Sequence, residues 1–342
     1  MDKIKKILVT GGTGYIGSHT TVMLMQAGFE VIILDNLCNS SSVVLKHIAQ
    51  LTGKAPCFIK GDVRHSKTLD KIFLEHKVDA VLHFAGLKSI DKSKLKPLKY
   101  YENNVGGTIA LCQSMKKAKI FTLIFSSSAT VYGNPENIPI NEDQQTGYTT
   151  NPYGRSKFIV EQILNDLAKS NRKWSIGILR YFNPIGAHES GIIGEDIKGT
   201  PDNLLPYIMK VAIGKLPKLS IYGDDYPTID GTGVRDYIHV VDLAKGHLAA
   251  LNKVKNMHGL NIWNLGTGKG YSVFQIIKTF EIVSEKKLPY KIEARREGDV
   301  AICYANPSKA ALDLNWTAEL DLHVMIRDAW NWQKLHPDGY RI

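Results

Sequence analysis

Short apolar runs rich in β-branched residues alternate with stretches of helical periodicity through the first half of the chain. Runs that are apolar at nearly every position are typical of parallel strands covered on both faces of their sheet. The repeated strand–helix order therefore predicts an α/β fold with a doubly wound parallel sheet. The predicted strands are residues 6–10, 30–34, 55–60, 80–84, 122–126 and 175–180, and the predicted helices are 15–27, 43–51, 67–75, 97–118 and 152–170.

The regular alternation of apolar runs and helical stretches ends after Asn183. Residues 184–206 are rich in glycine, proline and acidic side chains, which favours a long loop of the kind that commonly carries function. We expect two lobes with a cleft between them: residues 1–183, to which parts of about 236–266 return, and a smaller α/β lobe over 184–342. Beyond Asn183 the sequence predicts helix 204–211, strand 219–222, a polar loop over 223–235 and further elements at 272–281 and 322–335. Helix 241–251 and strand 261–265 are predicted as sheet-type elements in the stretch that returns to the first lobe.

The composition of the 342 residues is that of an ordinary globular protein, with 44% hydrophobic and 22% charged residues. A net charge of +10 raises the question of nucleic-acid binding, but the lysines are dispersed and form no arginine-rich arm, so this function is not favoured. The four cysteines are far apart and no histidine stands at metal-ligand spacing, which indicates reduced thiols, no metal and a cytoplasmic protein. No apolar run is long enough to cross a bilayer, and the N-terminus lacks the apolar core of a signal peptide.

A glycine-rich segment lies between the first predicted strand and the first predicted helix. Gly11, Gly14 and Gly17 allow a tight turn and the close approach of a pyrophosphate to a helix N-terminus. The segment could equally be a glycine-rich turn that binds nothing, but its strand–loop–helix context favours a dinucleotide site. Tyr15 and Ile16 belong to the same segment.

Acidic residues follow the second and third predicted strands. Asp35 ends the run Val-Ile-Ile-Leu-Asp, where a carboxylate accepts hydrogen bonds from the adenosine ribose and repels a 2′-phosphate, so NAD is favoured over NADP. Asn36 follows it directly. Asp62, which precedes Val63, would bond the adenine amino group or, alternatively, cap the next helix.

Tyr153 and Lys157 stand four residues apart on one face of the predicted helix 152–170. A lysine ammonium beside a phenol favours the phenolate, lowers the phenol pKa and so makes a general base. The pair alone is a weak signal, because tyrosine and lysine share this spacing in many helices. Ser128 ends an apolar run before the pair and, with the glycine-rich segment, completes a site for hydride and proton transfer.

Residues 11–17, 126–128 and 153–157 resemble the extended short-chain dehydrogenase/reductase superfamily. Within it, the chain is similar to the UDP-glucose 4-epimerase family essentially from end to end. The resemblance implies reversible C4 epimerisation of UDP-glucose and UDP-galactose through a 4-keto sugar, with tightly bound NAD that is recycled. It also implies a homodimer formed through helices 97–118 and 152–170. The segments that carry it are Leu-Asp-Asn-Leu-Cys-Asn-Ser (34–40), His-Phe-Ala-Gly-Leu-Lys (83–88), Phe-Ser-Ser-Ser-Ala-Thr-Val-Tyr-Gly (125–133), Leu-Arg-Tyr-Phe-Asn-Pro-Ile-Gly-Ala-His (179–188), Asp-Gly-Thr-Gly-Val-Arg-Asp-Tyr-Ile-His (230–239) and Arg-Arg-Glu-Gly-Asp (295–299).

The resemblance also implies roles for individual residues. Tyr153 would take the proton of the sugar 4-hydroxyl, and Lys157 would bind the nicotinamide ribose and keep the phenol acidic. Ser128 or Thr130 would share the hydrogen bond to the reacting oxygen. Further residues would lie beside the cofactor, although Lys88 and Asn103 could instead be solvated and Tyr181 and Phe182 could instead be core aromatics. These further residues are Phe84, Ala85, Lys88, Asn103, Tyr181 and Phe182.

The UDP-sugar is expected to contact the second lobe. Arg235 and Arg296 would hold the diphosphate, because the guanidinium fork suits phosphate oxygens. The alternative for Arg296 is a surface salt bridge with Glu297 or Asp299, and the sequence alone does not settle whether Arg295 or Arg296 points inward. By the resemblance, the substrate pocket also contains Asn183, Asn203, Leu204, Tyr222 and Asp299.

Two positions depart from the common pattern of the family. Cys303 stands where a bulky tyrosine excludes N-acetyl groups, so this small residue predicts turnover of UDP-GlcNAc and UDP-GalNAc as well. The alternative is an inert buried thiol that faces away from the sugar. Residues 89–93 are Ser-Ile-Asp-Lys-Ser where common members have Ala-Val-Gly-Glu-Ser, which reverses the charge at Lys92 and leaves that position without an assigned role.

Two other functions compete with epimerisation. One is a dehydratase or decarboxylase that acts on nucleotide sugars. A dehydratase needs an Asp-Glu pair after the serine, where this chain has Ala129, Thr130 and Val131. The other is a non-catalytic NAD-binding sensor, but such proteins usually lack the Tyr-Lys pair or the serine, which are all present here.

Overall fold

The computed structural model describes residues 5–197, 199 and 201–340 of the chain. Its strands, numbered along the chain, are β1 (Lys6–Thr10), β2 (Glu30–Asp35), β3 (Cys57–Lys60), β4 (Ala80–His83), β5 (Thr122–Ser128), β6 (Ser175–Tyr181), β7 (Asn183–Ile185), β8 (Leu219–Tyr222), β9 (Val234–His239), β10 (Gly259–Leu265), β11 (Gly270–Ser272), β12 (Tyr290–Glu293) and β13 (Ile302–Cys303). Its α-helices are α1 (Tyr15–Gln26), α2 (Val44–Thr52), α3 (Ser66–His76), α4 (Ile90–Leu95), α5 (Pro97–Tyr100), α6 (Gly107–Lys117), α7 (Pro152–Ser170), α8 (Leu204–Ala212), α9 (Val240–Val254), α10 (Val273–Ser284), α11 (Ser308–Leu314) and α12 (Leu322–Leu335). Within these described ranges, no helix combines the length and the apolar character that a membrane span requires.

The central sheet is formed by seven parallel strands in the order β10-β6-β5-β4-β1-β2-β3. The direction of the chain across the sheet reverses between β1 and β4. Open sheets of this kind bind ligands beyond the carboxyl ends of their strands, at such a reversal. The predicted doubly wound parallel sheet is confirmed. The ligand crevice is expected at the carboxyl ends of β1 and β4, where the strand order reverses.

Both faces of this sheet are covered by helices. Successive residues of β1 point to opposite faces, as the pleat of a strand requires. Ile7 and Val9 pack on the side of α1, α2 and α9, whereas Leu8 packs on the side of α3, α6 and α7. All three side chains are fully buried, which explains why the strands are apolar at nearly every position.

The second half of the chain adds a smaller α/β region. Strand β9 pairs with β7, β11 and β13, and β8 pairs with β12. Helices α8, α10 and α12 contribute to the core of this region, which includes Phe280, Ile326 and Trp330. Strand β10 returns to the central sheet beside β6, and α9 packs against α1. Strand β9 of the smaller region runs directly into α9, which covers the central sheet, so the two regions are joined at the end of β9.

Two helices that begin with a polar cap, α7 and α12, have the limits that the sequence predicted. The observed limits of α7 and α12 coincide with the predicted 152–170 and 322–335. Asn151 accepts a hydrogen bond from the Gly154 amide at 2.9 Å, and Asp321 accepts one from the Val324 amide at 2.9 Å. Such caps satisfy amides that the first helical turn leaves without a partner.

Other boundaries differ from the prediction. The single helix predicted at 97–118 is divided into α5, a π-helical segment (Tyr101–Gly106) and α6. A short 3₁₀ helix (Ala129–Tyr132) follows β5, and helix α4 was not predicted. The predicted loop 184–206 overlaps β7 at its start and α8 at its end, and residues 198 and 200 lie outside the described residues.

Strand β9 was also missed, because its sequence Val-Arg-Asp-Tyr-Ile-His includes charged side chains. Asp236 of this strand is nevertheless fully buried. Its carboxylate accepts hydrogen bonds from the Thr267 amide at 2.9 Å, the Gly268 amide at 3.0 Å and the Ala305 amide at 3.1 Å. These bonds to distant parts of the chain offset part of the cost of burying the carboxylate, although burial still raises the pKa of Asp236. A local sequence pattern does not show them.

Candidate active site

The loop between β1 and α1 lies against the loop that follows β4. Gly11 has a φ angle of +71°, and its amide donates to the Leu34 carbonyl oxygen at 2.8 Å. A Cβ atom at Gly11 would lie 2.7 Å from the Ala85 amide nitrogen, and one at Gly17 would overlap the Gly11 carbonyl oxygen. Only glycine fits these two positions, so the loop forms a tight cradle of backbone atoms.

The N-terminus of α1 and the end of β2 meet at this cradle. Gly14 is the N-cap of α1 and offers no side chain to cap it, so the first amides of the helix are available to an anion. Asp35 is buried, and its carboxylate accepts hydrogen bonds from the Thr13 amide at 3.1 Å, the Leu37 amide at 2.9 Å and the Ser40 hydroxyl at 3.1 Å. The predicted ribose-binding carboxylate is therefore fixed beside the glycine loop. Tyr15 and Ile16 open α1 at the same place.

A buried chain of hydrogen bonds below the loop was missed by the sequence analysis. Thr10 Oγ1 lies 2.7 Å from His83 Nδ1, and His83 Nε2 lies 2.9 Å from Thr108 Oγ1. The Thr108 hydroxyl donates to the Asn104 carbonyl oxygen at 2.7 Å. Burial lowers the pKa of His83 to about 3, so the ring is neutral and links β1 to the helix across β4. The available signal was the position of His83 at the end of a predicted strand.

Asp62 makes contacts that neither of its predicted roles includes. Its carboxylate accepts hydrogen bonds from the Arg64 Nε, Nη2 and backbone amide, each at 2.9 Å, and from Asn36 Nδ2 at 3.0 Å. The Arg64 hydrogen bonds hold the pKa of Asp62 well below its usual range. His65, not Asp62, is the N-cap of α3. Asp62 and Asn36 thus lie together at the ends of β2 and β3, beside the buried Val63.

Helix α7 presents Tyr153 and Lys157 to the end of β5. The Lys157 side chain is buried, and its Nζ donates to the Ser126 carbonyl oxygen at 2.6 Å. The ammonium also lies 4.8 Å from the centroid of the Phe125 ring. Burial lowers the pKa of Lys157 to about 8, because the charged form loses its hydration.

The pKa of Tyr153 lies above its ordinary value, so the expected lowering is not seen in this structure. Burial of the hydroxyl raises the pKa, and a hydrogen bond with the Ser128 side chain opposes that effect. The Ser128 hydroxyl also accepts hydrogen bonds from the Thr130 hydroxyl at 3.0 Å and the Thr130 amide at 3.2 Å. The sequence spacing predicted a phenol pKa lowered by the lysine, whereas burial is the largest influence on Tyr153 in this structure.

Lys88 and Asn103 both bond to other protein groups in this structure. Lys88 Nζ forms a 2.7 Å ion pair with Glu195 and lies 6.0 Å from the centroid of the Tyr15 ring. Asn103 Nδ2 donates to Asn104 Oδ1 at 3.1 Å.

Asn104 is a further residue that the sequence analysis missed. It bonds both the amide and the carbonyl of Leu87, at 2.8 and 3.0 Å, and the Ser156 hydroxyl at 3.0 Å. The π-helical segment thereby orients the loop after β4 against α7.

The aromatic residues at the end of β6 are buried, as the alternative interpretation expected. The Tyr181 hydroxyl lies 2.6 Å from His247 Nε2, and the Phe84 ring packs at 4.8 Å from the same histidine. Phe182 belongs to a small apolar cluster that Ala129 and Cys303 contact. Phe182 and Cys303 therefore lie in one apolar cluster beside the 3₁₀ helix, and this cluster is expected to form one wall of the sugar pocket.

The two neighbouring arginines point to different partners. Arg295 Nε bonds Asp225 at 2.7 Å, and its guanidinium lies 4.2 Å from the Tyr226 ring centroid. Arg296 Nε bonds Asp299 at 3.0 Å, which is the surface pairing named as its alternative. The Arg296 guanidinium also lies 4.7 Å from the centroid of the Tyr222 ring, so three predicted substrate residues form one exposed cluster.

Arg235 and Cys303 are register partners on β9 and β13. Arg235 Nη1 donates to the Val234 carbonyl oxygen at 2.9 Å. Burial raises the pKa of the Cys303 thiol to about 11, so the thiol is neutral at physiological pH. Asn183 begins β7, which also pairs with β9.

The departure at residues 89–93 forms part of a contact between the two regions. Ser89 caps α4, and its hydroxyl donates to Asp202 at 2.5 Å. Asp202 directly precedes Asn203 and Leu204, the N-cap and first residue of α8. The Lys92 side chain is exposed, whereas Ser93 is fully buried. Among the described residues, no group of three or more His, Cys, Asp and Glu side chains could hold a metal ion.

Comparison with known proteins decides which chemistry this arrangement serves. Residues 7–266 match the model of the NAD dependent epimerase/dehydratase family. A UDP-glucose 4-epimerase from Pasteurella multocida is 60% identical over 98% of this chain and 99% of its own length.

The chain belongs to the NAD dependent epimerase/dehydratase family, among its UDP-glucose 4-epimerases.

Two solved epimerases share its fold throughout. The UDP-glucose 4-epimerase from Bifidobacterium longum, in complex with NAD+ and UDP, superposes with a TM-score of 0.95 at 51% identity, covering 98% of this chain and 100% of that one. The enzyme from Stenotrophomonas maltophila, with bound NAD and formylated UDP-arabinopyranose, gives a TM-score of 0.95 at 48% identity, covering 97% and 99%.

The glycine cradle of this epimerase fits NAD. A pyrophosphate needs close backbone approach at a helix N-terminus, and a Cβ atom at Gly11 or Gly17 would fill that space. The Asp35 carboxylate at the end of β2 suits the ribose hydroxyls of NAD, which lacks the 2′-phosphate of NADP.

Replacing Gly17 by alanine should prevent this epimerase from retaining NAD. The new Cβ would overlap the Gly11 carbonyl oxygen and displace the loop, which should also destabilise the fold by about 1–3 kcal/mol. NAD released from the denatured, purified protein would be quantified per chain. Gly106→Ala is the matched control, because its Cβ meets nothing closer than 4.0 Å and φ there is −59°. A Gly17→Ala protein that retained as much NAD as Gly106→Ala would contradict this account of the loop.

Proposed function

We propose that this epimerase inverts C4 of UDP-glucose and UDP-galactose reversibly, through a 4-keto sugar. The observation that carries the proposal is the meeting of Tyr153, Lys157 and Ser128 at the end of β5, beside the glycine cradle. NAD, when bound, supplies a hydride acceptor and donor together with a positive charge near the phenol. The side chains of the protein then have to move one proton and hold the sugar.

Tyr153 is the group that accepts the proton of the sugar 4-hydroxyl. Burial alone raises its pKa, so a general base at neutral pH requires nearby groups that favour the phenolate. The Ser128 hydroxyl favours the phenolate through its hydrogen bond to Tyr153. The Lys157 ammonium, on the same face of the helix, favours it through its positive charge. Thr130 donates to the Ser128 hydroxyl and orients it. Proton return from Tyr153 to the 4-oxygen completes the turnover.

The first region binds the cofactor and the smaller region binds the UDP part of the substrate. Arg235 and Arg296 supply positive charge for the diphosphate, and Arg296 would exchange its exposed Asp299 contact for phosphate oxygens. The Tyr222 ring beside Arg296 offers a flat face to the uracil. Asn183, Asn203 and Leu204 line the approach to the sugar, at the starts of β7 and α8.

Elimination chemistry is not favoured by this site. The residues after Ser128 form the 3₁₀ helix Ala129–Tyr132, which carries no carboxylate. A dehydratase would need an acid and a base at C5 and C6 of the sugar. A sensor without activity has no use for a buried lysine next to a hydrogen-bonded tyrosine and serine.

The purified protein should convert UDP-galactose to UDP-glucose without added NAD, as followed by chromatography. Tyr153→Phe should lower kcat by about 10²–10⁴-fold, because the proton acceptor is lost. Tyr290→Phe removes a hydroxyl from the exposed strand β12 and serves as the control. The epimerase proposal fails if the wild-type protein shows no conversion even with NAD supplied, or if Tyr153→Phe is as active as the control.

We propose that the sugar pocket also admits an N-acetyl group, so that UDP-GlcNAc and UDP-GalNAc are substrates. Cys303 is small, lies on β13 beside Arg235, and contacts the cluster that contains Phe182. A thiol on this wall leaves volume that a tyrosine ring would fill.

Cys303→Tyr tests the size of this pocket. The variant should lose about 10-fold or more in kcat/KM for UDP-GlcNAc, because the ring occupies the space of the acetamido group. Its kcat/KM for UDP-galactose, measured in the same assay, is the internal control and should change little. Absence of UDP-GlcNAc turnover by a wild-type protein that is active on UDP-galactose would contradict the proposal.

We propose a homodimer formed through α7 and the helical run from α5 to α6. Leu98 and Ile109 of this run are exposed at 81% and 37%, although such side chains favour burial. Light scattering should give twice the chain mass of 38.1 kDa. A mass of one chain at working concentrations would contradict the proposal.

A further inference from the structure

Glu161 is a buried carboxylate on the catalytic face of α7. It follows Lys157 by four residues, as Lys157 follows Tyr153, so the three side chains lie along one face of the helix. Glu161 is 3% exposed, which is uncommon for a charged group unless partners surround it.

The Glu161 carboxylate joins three elements of the central sheet region. Its Oε1 accepts hydrogen bonds from the Ser127 hydroxyl at 2.5 Å and from Arg180 Nε at 3.1 Å. Its Oε2 accepts one from Arg180 Nη2 at 2.7 Å. The side chain therefore ties α7 to the end of β5 and to β6 through bonds with defined directions.

Ser127 lies between the two residues that contact the catalytic pair. The Ser126 carbonyl oxygen holds Lys157, and the Ser128 hydroxyl bonds Tyr153. The hydrogen bond that the Ser127 hydroxyl donates to Glu161 therefore fixes the register in which both neighbours meet α7.

The carboxylate also acts on Lys157 through its charge. Burial lowers the pKa of Lys157 to about 8, and the negative charge of Glu161 works in the opposite direction. His83 faces the ammonium from β4, but this ring is neutral because burial lowers its pKa to about 3. Among the described residues, the titratable and charged groups that act on Lys157 or bond Glu161 are His83 on β4 and Arg180 on β6, with Tyr132 beyond Arg180. Tyr153 precedes Lys157 by four residues on α7.

We propose that Glu161 is a positioning residue for the proton transfer, which fixes the end of β5 against α7 and keeps Lys157 charged at neutral pH. This inference rests on the proposed function, since it assigns Glu161 to the Tyr153–Lys157 pair. It acts through Ser127 and Lys157 and does not touch the substrate.

The test is the pH dependence of kcat with UDP-galactose for Glu161→Gln. Without the negative charge, Lys157 should lose its proton at lower pH, so the alkaline limb of the profile should move down by about one pH unit. Glu161→Asp keeps the charge, so its alkaline limb should stay near the wild-type position even if kcat falls. A loosened fold alone would lower kcat at every pH and leave the limb in place.

Glu142→Gln is the matched control. Glu142 belongs to the same buried network, where its Oε1 accepts a hydrogen bond from the Asn264 amide at 2.7 Å and its carbonyl oxygen accepts one from Arg180. It is not among the groups that act on Lys157. The alkaline limb of Glu142→Gln should coincide with that of the wild-type protein.

Arg180 is left with an uncompensated charge in Glu161→Gln, which can prevent folding. The double variant Glu161→Gln/Arg180→Gln removes both charges and should still show a downward shift of the alkaline limb, which should be smaller than in the single variant because loss of the positive charge of Arg180 acts on Lys157 in the opposite direction. An unmoved limb in the single variant, or in the double variant if the single one does not fold, overturns the proposal, as does an equal shift in Glu142→Gln. Lack of any conversion by the wild-type protein would instead refute the proposed function.

Discussion

A lysine ammonium buried at the end of a strand is the constraint on which the site depends. Lys157 is 6% exposed, and an ion removed from water needs partners that replace its hydration. The Ser126 carbonyl oxygen at 2.6 Å and the face of the Phe125 ring supply them. Both belong to β5, so α7 can satisfy the ammonium at only one register along that strand. The same register brings Tyr153 to Ser128.

The loop after β4 also lies against the buried Lys157 ammonium. A Cβ at Gly86 would lie 3.8 Å from Lys157 Nζ, so the loop after β4 runs beside the ammonium. The preceding residue, Ala85, is also the one against which Gly11 packs. One short loop thus separates the glycine cradle from Lys157, and close packing transmits any displacement of α7 to that loop. The position of the cradle relative to Tyr153 and Lys157 is therefore set by the same contacts.

Sequence patterns predicted the parts of this arrangement that are local. Alternating β and α periodicity gave the central sheet, and the Asn151 cap helps to explain why α7 begins where it was predicted. The spacing of the glycines located the cradle, because a tight turn requires glycine at particular positions of the sequence. The pair Tyr153–Lys157 was found from its four-residue spacing, which is also a local pattern.

What sequence patterns missed depends on contacts between distant segments. The bonds of His83 to Thr10 and Thr108 unite three elements. Strand β9 carries a buried Asp236 whose partners lie more than thirty residues away. The direction of the Tyr153 pKa shift was wrong from sequence, because burial is a property of the packed structure. The family resemblance, in contrast, was confirmed by relatives that match nearly the whole chain.

If the sugar passes through a 4-keto form while NAD is recycled, the hydrogen removed from C4 is the one given back to C4. UDP-galactose deuterated at C4 would be converted by the purified protein in ordinary water and followed by mass spectrometry and NMR. We expect UDP-glucose that retains the deuterium at C4, because the abstracted hydride does not exchange with solvent. Product in which solvent hydrogen has replaced the deuterium would contradict this mechanism and would indicate proton abstraction from carbon instead.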